Sequence, residues 1–291
     1  MQEIKLFYVT DAAGTRHWIT NQDLFSALKR IEADQCELLF IHTDIAAFGT
    51  PNPELKRREL LGQIFQAIEQ LNVKTIVFPA FTFSFANQED FDVNKSTAKY
   101  MGALNEFARK QPGAVRSLDP MMSVIALGED AERFYHVGKQ CMGEGGMFSM
   151  LHHHPNVKFL FFGAKPTLCF TYAHYVEAAY HVPYRFEKWY RGRVTDRDGN
   201  SYEDSYSVYA ACKGVTPAPM YPFERHMEKG RFFKREEVGA AEVISFREED
   251  AYQAMWDALD ENIHGFLTRP FTEEDLVHEV KNNPERTVMV P

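Results

Sequence analysis

Two short apolar runs with a helical repeat between them do most to limit what this chain can fold into. Leu38-Leu39-Phe40-Ile41 and Thr75-Ile76-Val77-Phe78 are short, rich in β-branched and aromatic residues, and read as buried strands. Between them Leu60, Ile64, Ala67, Ile68 and Leu71 recur at helical spacing. A buried strand, a helix and a second buried strand make a parallel pair joined by a crossover. Further strands are expected at 122–127 and 157–162, and a helix at 101–109.

The ends of the chain frame this unit. Runs 4–9 and 15–19 flank Asp11-Ala12-Ala13-Gly14 and read as a hairpin. Thr20, with Asp23 three residues on, is a helix N-cap with an acidic third position, and Leu24, Leu28 and Ile31 supply the apolar face. Past Pro183 tyrosine, arginine and glycine become frequent. Thr195-Asp196-Arg197-Asp198-Gly199-Asn200 is a hairpin turn, 208–212 and 242–246 read as strands, and 248–267 as a terminal helix. The fold class is α/β: a mixed, largely parallel central sheet flanked by helices, with a smaller β-rich C-terminal portion. Nothing linker-like divides the chain. Residues 1–291 read as one domain, with a core over 20–250 and a charged, proline-bounded appendage over 268–291.

Composition excludes several functions. With 45% apolar and 14% aromatic residues the chain can bury a sizeable core. Its net charge of −9 argues against nucleic acid and anionic membranes, both of which need a basic face. Four cysteines without CxxC spacing fit a reducing compartment. The N-terminus lacks the features of a signal peptide, and no apolar run is long enough to span a bilayer. A cytoplasmic location is expected.

Several stretches can carry chemistry, and each has a plain structural alternative. Ile41-His42-Thr43-Asp44 follows a buried strand, where α/β sheets gather ligands, but it also suits a strand end capped by Asp44. Pro79 to Phe85 alternates phenylalanines with Thr82 and Ser84, as a binding loop or as an inward-facing strand would. Arg116-Ser117-Leu118-Asp119-Pro120 offers an arginine for a phosphate, or simply a solvated turn. Gly143-Glu144-Gly145-Gly146 allows close backbone approach to a ligand but is neither GxGxxG nor a phosphate loop with its lysine. His152-His153-His154 points its side chains apart and cannot easily close one tetrahedral site, so no metal is expected. On the apolar helix 170–180, Thr171, His174 and Glu177 fall three residues apart on adjacent turns. His174 there is either a satisfied core histidine or a general base.

Taken in order, these stretches resemble the aminoglycoside 3-N-acetyltransferase family. The His42 loop matches its His-Ser-Ser-like loop, and Pro79 to Phe85 its proline, Thr-Phe-Thr-like segment. Gly102-Ala103-Leu104-Asn105-Glu106 matches a Gly-Ala-Leu-x-Glu helix. Arg116 to Ser123, Gly143 to Phe148, Thr171 to Glu177 and Val182-Pro183-Tyr184-Arg185 follow in register. The match spans roughly residues 20 to 250. Asp119 stands where the family usually has histidine, and Asp44 and Ala46 replace serines.

The resemblance implies transfer of an acetyl group from acetyl-CoA to a small-molecule amine, with no metal. It implies a CoA pocket at Thr43, Asp44, Thr82, Ser84, Arg116, Ser117, Ser123 and Phe148. His174 becomes the general base, with Glu177 or Glu224 as its carboxylate, and Thr171, Asp119 and His154 become acceptor-side candidates. The expected acceptor is an amino sugar or aminoglycoside-like amine, and a homodimer is compatible. Two rivals stand beside direct transfer: acyl transfer through Cys169, otherwise a packed thiol, and a degenerate member that only binds amino sugar or CoA.

Overall fold

The computed structural model describes residues 2–278 and 287–288. Strands β1 (Lys5–Thr10) and β2 (Arg16–Thr20) form the expected antiparallel hairpin. Asp11 closes its turn, accepting from the N–H groups of Ala13 and Thr15. Helix α1 (Asn21–Arg30) starts on Thr20: Asp23 N–H donates to the Thr20 hydroxyl, and the Thr20 N–H returns to the Asp23 carboxylate at 2.8 Å.

The chain continues through β3 (Leu38–Thr43), β4 (Thr50–Pro51), α2 (Arg57–Glu69), β5 (Thr75–Pro79) and β6 (Phe91–Asp92). Then come α3 (Ala103–Ala108), β7 (Val115–Arg116), β8 (Val124–Gly128), α4 (Met147–His152) and β9 (Val157–Phe162). Short α5 (Pro166–Cys169) and α6 (Ala173–Tyr180) precede the long hairpin of β10 (Arg185–Thr195) and β11 (Ser201–Ala211). Helix α7 (Tyr221–Gly230), β12 (Lys234–Val238), β13 (Ala241–Arg247), α8 (Glu248–Glu261) and β14 (Thr287–Val288) follow.

Seven strands form the central sheet in the order β12-β13-β9-β3-β5-β8-β7. The pairings β9–β3 and β3–β5 are parallel, and the crossover between β3 and β5 runs through α2 as expected. The remaining pairings are antiparallel, so the parallel part is the centre of a mixed sheet. One cause is local: β12 turns straight into β13 at Gly239, whose φ of 65° permits the tight reversal.

Alternation along the central strands fills a core on each face. Phe40, Val77, Phe159 and Phe161 pack on one side, and Leu39, Ile41, Phe78 and Leu160 on the other. Burial on both faces explains why these strands read as unbroken apolar runs. The expected 208–212 strand is the end of β11, which pairs with β10 along its whole length from Arg185↔Ala211 to Thr195↔Ser201. The terminal helix stops at Glu261, short of 267, because Asn262 is extended at φ −159°. Of the expected appendage, 279–286 and 289–291 lie outside the described residues. No helix among the described residues is long and apolar enough to cross a membrane.

Candidate active site

All three parallel strands end at one edge, and a cavity of about 530 Å³ opens there. His42 and Thr43 from β3, Pro79 from β5, and Ala164 and Thr171 beyond β9 line it. Carboxyl ends of parallel strands are where open α/β sheets bind ligands. Buried Asn105 braces this edge: the Thr43 hydroxyl donates to Asn105 Oδ1 at 2.6 Å, and Asn105 Nδ2 donates to the Pro79 carbonyl at 2.8 Å.

Helix α6 is anchored by buried Ala173, Tyr175 and Val176, and it holds His174 at the cavity wall. One turn on, Glu177 is buried, and its Oε2 lies 2.6 Å from His174 Nδ1. Sequence reading placed these two side by side, and they are bonded. With Nδ1 held by the carboxylate, Nε2 is the ring nitrogen left for chemistry.

Two residues missing from the expected site complete it. Tyr184 donates its hydroxyl to Glu177 Oε1 at 2.9 Å, and Arg185 Nε stands 2.7 Å from Glu177 Oε2. Burial alone would push the Glu177 carboxyl up. The Arg185 charge, the His174 ring and the hydrogen bonds outweigh it and hold the carboxyl below its ordinary range. Glu177 is therefore ionised inside the protein. Both partners sit in Val182-Pro183-Tyr184-Arg185, which was legible as a motif but not as a carboxylate clamp.

His42 was also missed as a site residue. Its ring stacks on Phe161 at 4.5 Å and lines the cavity, and its Nε2 has no hydrogen-bond partner among the described residues. Burial pushes its pKa down to about 3, so the ring is neutral at physiological pH. The signal was available: residues 38–43 alternate faces, and His42 shares Phe40's face toward the strand end.

The other expected residues are placed as follows. Asp44 caps the turn Ile45–Phe48, accepting from Ala46 N–H at 3.2 Å. Thr82 donates to the Pro120 carbonyl, and Ser84 donates to the Thr82 hydroxyl. Buried Arg116 donates to the carbonyls of Ala80 and Ser96 and to the Ser123 hydroxyl, with its guanidinium over the Phe91 ring. Ser123 donates to the Ala80 carbonyl, and Ser117 accepts from Val124 N–H. Phe148 is core, tilted against Phe40 and edge-on to Tyr172. These side chains brace the loops behind the cavity, and none of them, Thr43 apart, lines it.

On the acceptor side, Thr171 lines the cavity. Asp119 is buried and accepts from the N–H groups of Met121 and Met122. Burial lifts its carboxyl to about 6 against the pull of those hydrogen bonds and of Arg116. His154 lies at the opposite end of the strands. Its Nε2 is 3.4 Å from Asp130 Oδ2, and Asp130 N–H donates to Thr75 at the start of β5. The three consecutive histidines diverge as expected: His152 meets Glu248, His153 meets Ser149 and His154 meets Asp130. Glu224 engages Thr167 and Arg235 and not His174, leaving Glu177 as the histidine's carboxylate. Cys169 is an exposed residue, not a packed one, though its thiol turns in to donate to the Lys165 carbonyl.

An ionised carboxylate orienting a histidine, on a cavity at the ends of parallel strands, is the equipment of proton-transfer catalysis. The aminoglycoside 3-N-acetyltransferase family model matches residues 64–260. The chain belongs to that family, a class of acyl-CoA-dependent N-acyltransferases. No curated protein sequence is significantly similar to it. Among solved structures it is similar to aminoglycoside acetyltransferase AAC(3)-Xa, at 20% identity and TM-score 0.70, over 84% of this chain and 93% of that one. AAC-IIIb in a binary complex with CoASH matches at 18% identity and TM-score 0.66, over 86% and 98%. AAC-VIa bound to sisomicin matches at 20% identity and TM-score 0.64, over 83% and 96%. At these identities the likeness is one of fold.

Proposed function

We propose that this protein transfers the acetyl group of acetyl-CoA directly to the amino group of a small acceptor, with His174 as general base. The observation that carries this is His174 on the cavity wall with Glu177 bonded to it from behind. The CoASH complex of AAC-IIIb supports acetyl-CoA as donor, and the sisomicin complex of AAC-VIa supports an amine of amino-sugar kind as acceptor.

The acceptor reacts as the free amine. Its nitrogen attacks the thioester carbonyl carbon and loses a proton to His174 Nε2. Glu177 fixes the ring's tautomer through Nδ1 and stabilises the imidazolium. The negative charge on the thioester oxygen falls to N–H groups at the end of β3 and in the turn after it. Asp44 N–H already donates to the Phe162 carbonyl, so Thr43 and Ile45 are the candidates. Collapse breaks the C–S bond, and the imidazolium proton passes to the departing CoA thiolate. The products are an N-acetyl amine and CoA thiol, with no acyl-enzyme.

The test is calorimetric titration with acetyl-CoA and with CoA, followed by release of CoA thiol with an amine panel. Micromolar binding, and a His174→Ala variant that binds CoA but turns over on the order of 10²–10⁴ more slowly, are expected. Well-folded protein that binds neither form of CoA overturns the proposal. So does a His174→Ala variant with full activity.

A further inference from the structure

We infer that the acceptor this cavity takes is a small primary amine carrying one positive charge on an apolar, arylalkyl-like body, rather than a polycationic amino sugar. The inference rests on the acyl-transfer reading above and departs from the amino-sugar kind of acceptor given there.

The wall is apolar. Phe81, Phe83, Met101, Met122, Met142 and Val208 line it. Three methionines give a surface that reshapes around rings and alkyl chains. Charge points the same way. The chain carries 41 Asp and Glu residues, yet among the described residues that line the cavity there is no carboxylate. Glu177 sits behind the wall and is already matched by Arg185 and His174. Neutral His42 adds no charge. Asp44 directly follows cavity-lining Thr43, and its charge is felt at cavity-lining Cys169, so one carboxylate stands near the site to match one ammonium group. A polycation would strip water from several ammonium groups without carboxylates to receive them. That mismatch is how a site rejects a ligand.

Phe83 supplies an independent observation. It sits at φ 50°, a left-handed conformation that bulky side chains rarely adopt, and it is 38% exposed at the cavity mouth. Hydrogen bonds from Phe83 N–H to the Met121 carbonyl and from Ser84 N–H to the Pro120 carbonyl hold it there. Its ring packs edge-on to Phe81. A strained, outward-facing aromatic held at a cavity entrance suits an apolar ligand face.

The experiment titrates 2-phenylethylamine and a tetra-amino aminoglycoside into CoA-saturated protein, at physiological and at high salt. Thiol release from acetyl-CoA is followed in parallel. Phenylethylamine is expected to bind at least about 10-fold tighter at both salts, and to be the better substrate. Phe83→Asp places a carboxylate where the left-handed backbone suits aspartate. It should raise aminoglycoside affinity about 10-fold, with thermal unfolding confirming an intact fold. Equal or tighter aminoglycoside binding by the unaltered protein overturns the inference, as does binding of CoA with neither amine. If CoA itself fails to bind, the acyl-transfer reading falls. Titration of the CoA-free protein with the same two amines then still ranks them and decides the charge question.

Discussion

Arg185 Nε stands 2.7 Å from the same Glu177 oxygen that meets His174 Nδ1 at 2.6 Å. One carboxylate oxygen thus faces both the Arg185 guanidinium and the His174 imidazole, while its twin accepts from Tyr184. Arg185 and Glu177 are both buried at the side chain, 7% and 4% exposed, so neither charge is compensated by water. The pair keeps Glu177 ionised, and an ionised Glu177 orients the His174 ring.

Glu177→Gln should therefore show two losses at once. The neutral amide no longer stabilises the imidazolium, and kcat is expected to fall on the order of 10²-fold or more. Arg185 is left as an uncompensated buried charge, at a cost of about 3–5 kcal/mol in stability. Saturating kinetics and urea unfolding measure each separately. Lost stability with kcat intact would make Glu177 a structural residue only.

Cys169→Ala is expected to retain full activity, because the direct transfer proposed above passes through no thioester on the enzyme. Rates of CoA release and a search for acylated protein by mass spectrometry check it. Loss of turnover together with an acyl adduct on the unaltered protein would establish the covalent route instead.

Phe148→Ala separates packing from cofactor contact. Phe148 is fully buried between Phe40 and Tyr172, and truncation there should cost about 3–5 kcal/mol. The affinity of the folded variant for CoA should be unchanged. A variant of undiminished stability but weaker CoA binding would contradict that placement.

Asp119 makes a pH prediction. Its carboxyl titrates at about 6 in the folded protein against an ordinary 3.8. Between those values the folded state holds more protons than the unfolded one. Asp119 therefore makes stability fall as pH rises through that window, by on the order of 3 kcal/mol, and is flat above it. His42 has the opposite sign: its folded pKa near 3 makes stability rise with pH toward 6.5. Asp119→Asn removes only the first contribution. Subtracting the two urea-unfolding profiles from pH 4 to 7 should expose it, and superimposable slopes would refute it.

Much of this was readable from residue order. Apolar runs at 38–41 and 75–78, the repeat between them and Thr20 with Asp23 mark a parallel pair, its crossover and a helix start, because each is set by local periodicity or capping. His174 and Glu177 were readable for the same reason: three residues on a helix put them together. What local order does not show is where a hydroxyl or guanidinium turns. Ser117, Ser123 and Arg116 look like ligand donors, but they bond to backbone and to one another. Nor does it show which end of a strand a loop occupies, and so His154 seemed close to the site when it lies beside Asp130. The extent of antiparallel pairing was hidden too, since β13 meets β9 across some eighty residues of chain.

The β10–β11 hairpin has an evolutionary consequence. It lies outside the central sheet, and its two ends bring Arg185 on one strand and Val208 and Tyr209 on the other to the cavity. Its turn at residues 196–200 is held by Asp196, away from those ends. Residues on β11 can drift, so that new acceptors are tried, while the helix bearing His174 and Glu177 stays as it is. The edge strand β11 is thus the exchangeable part: diversification should concentrate there, leaving Arg185 on β10 and the helix bearing His174 and Glu177 as the constant part.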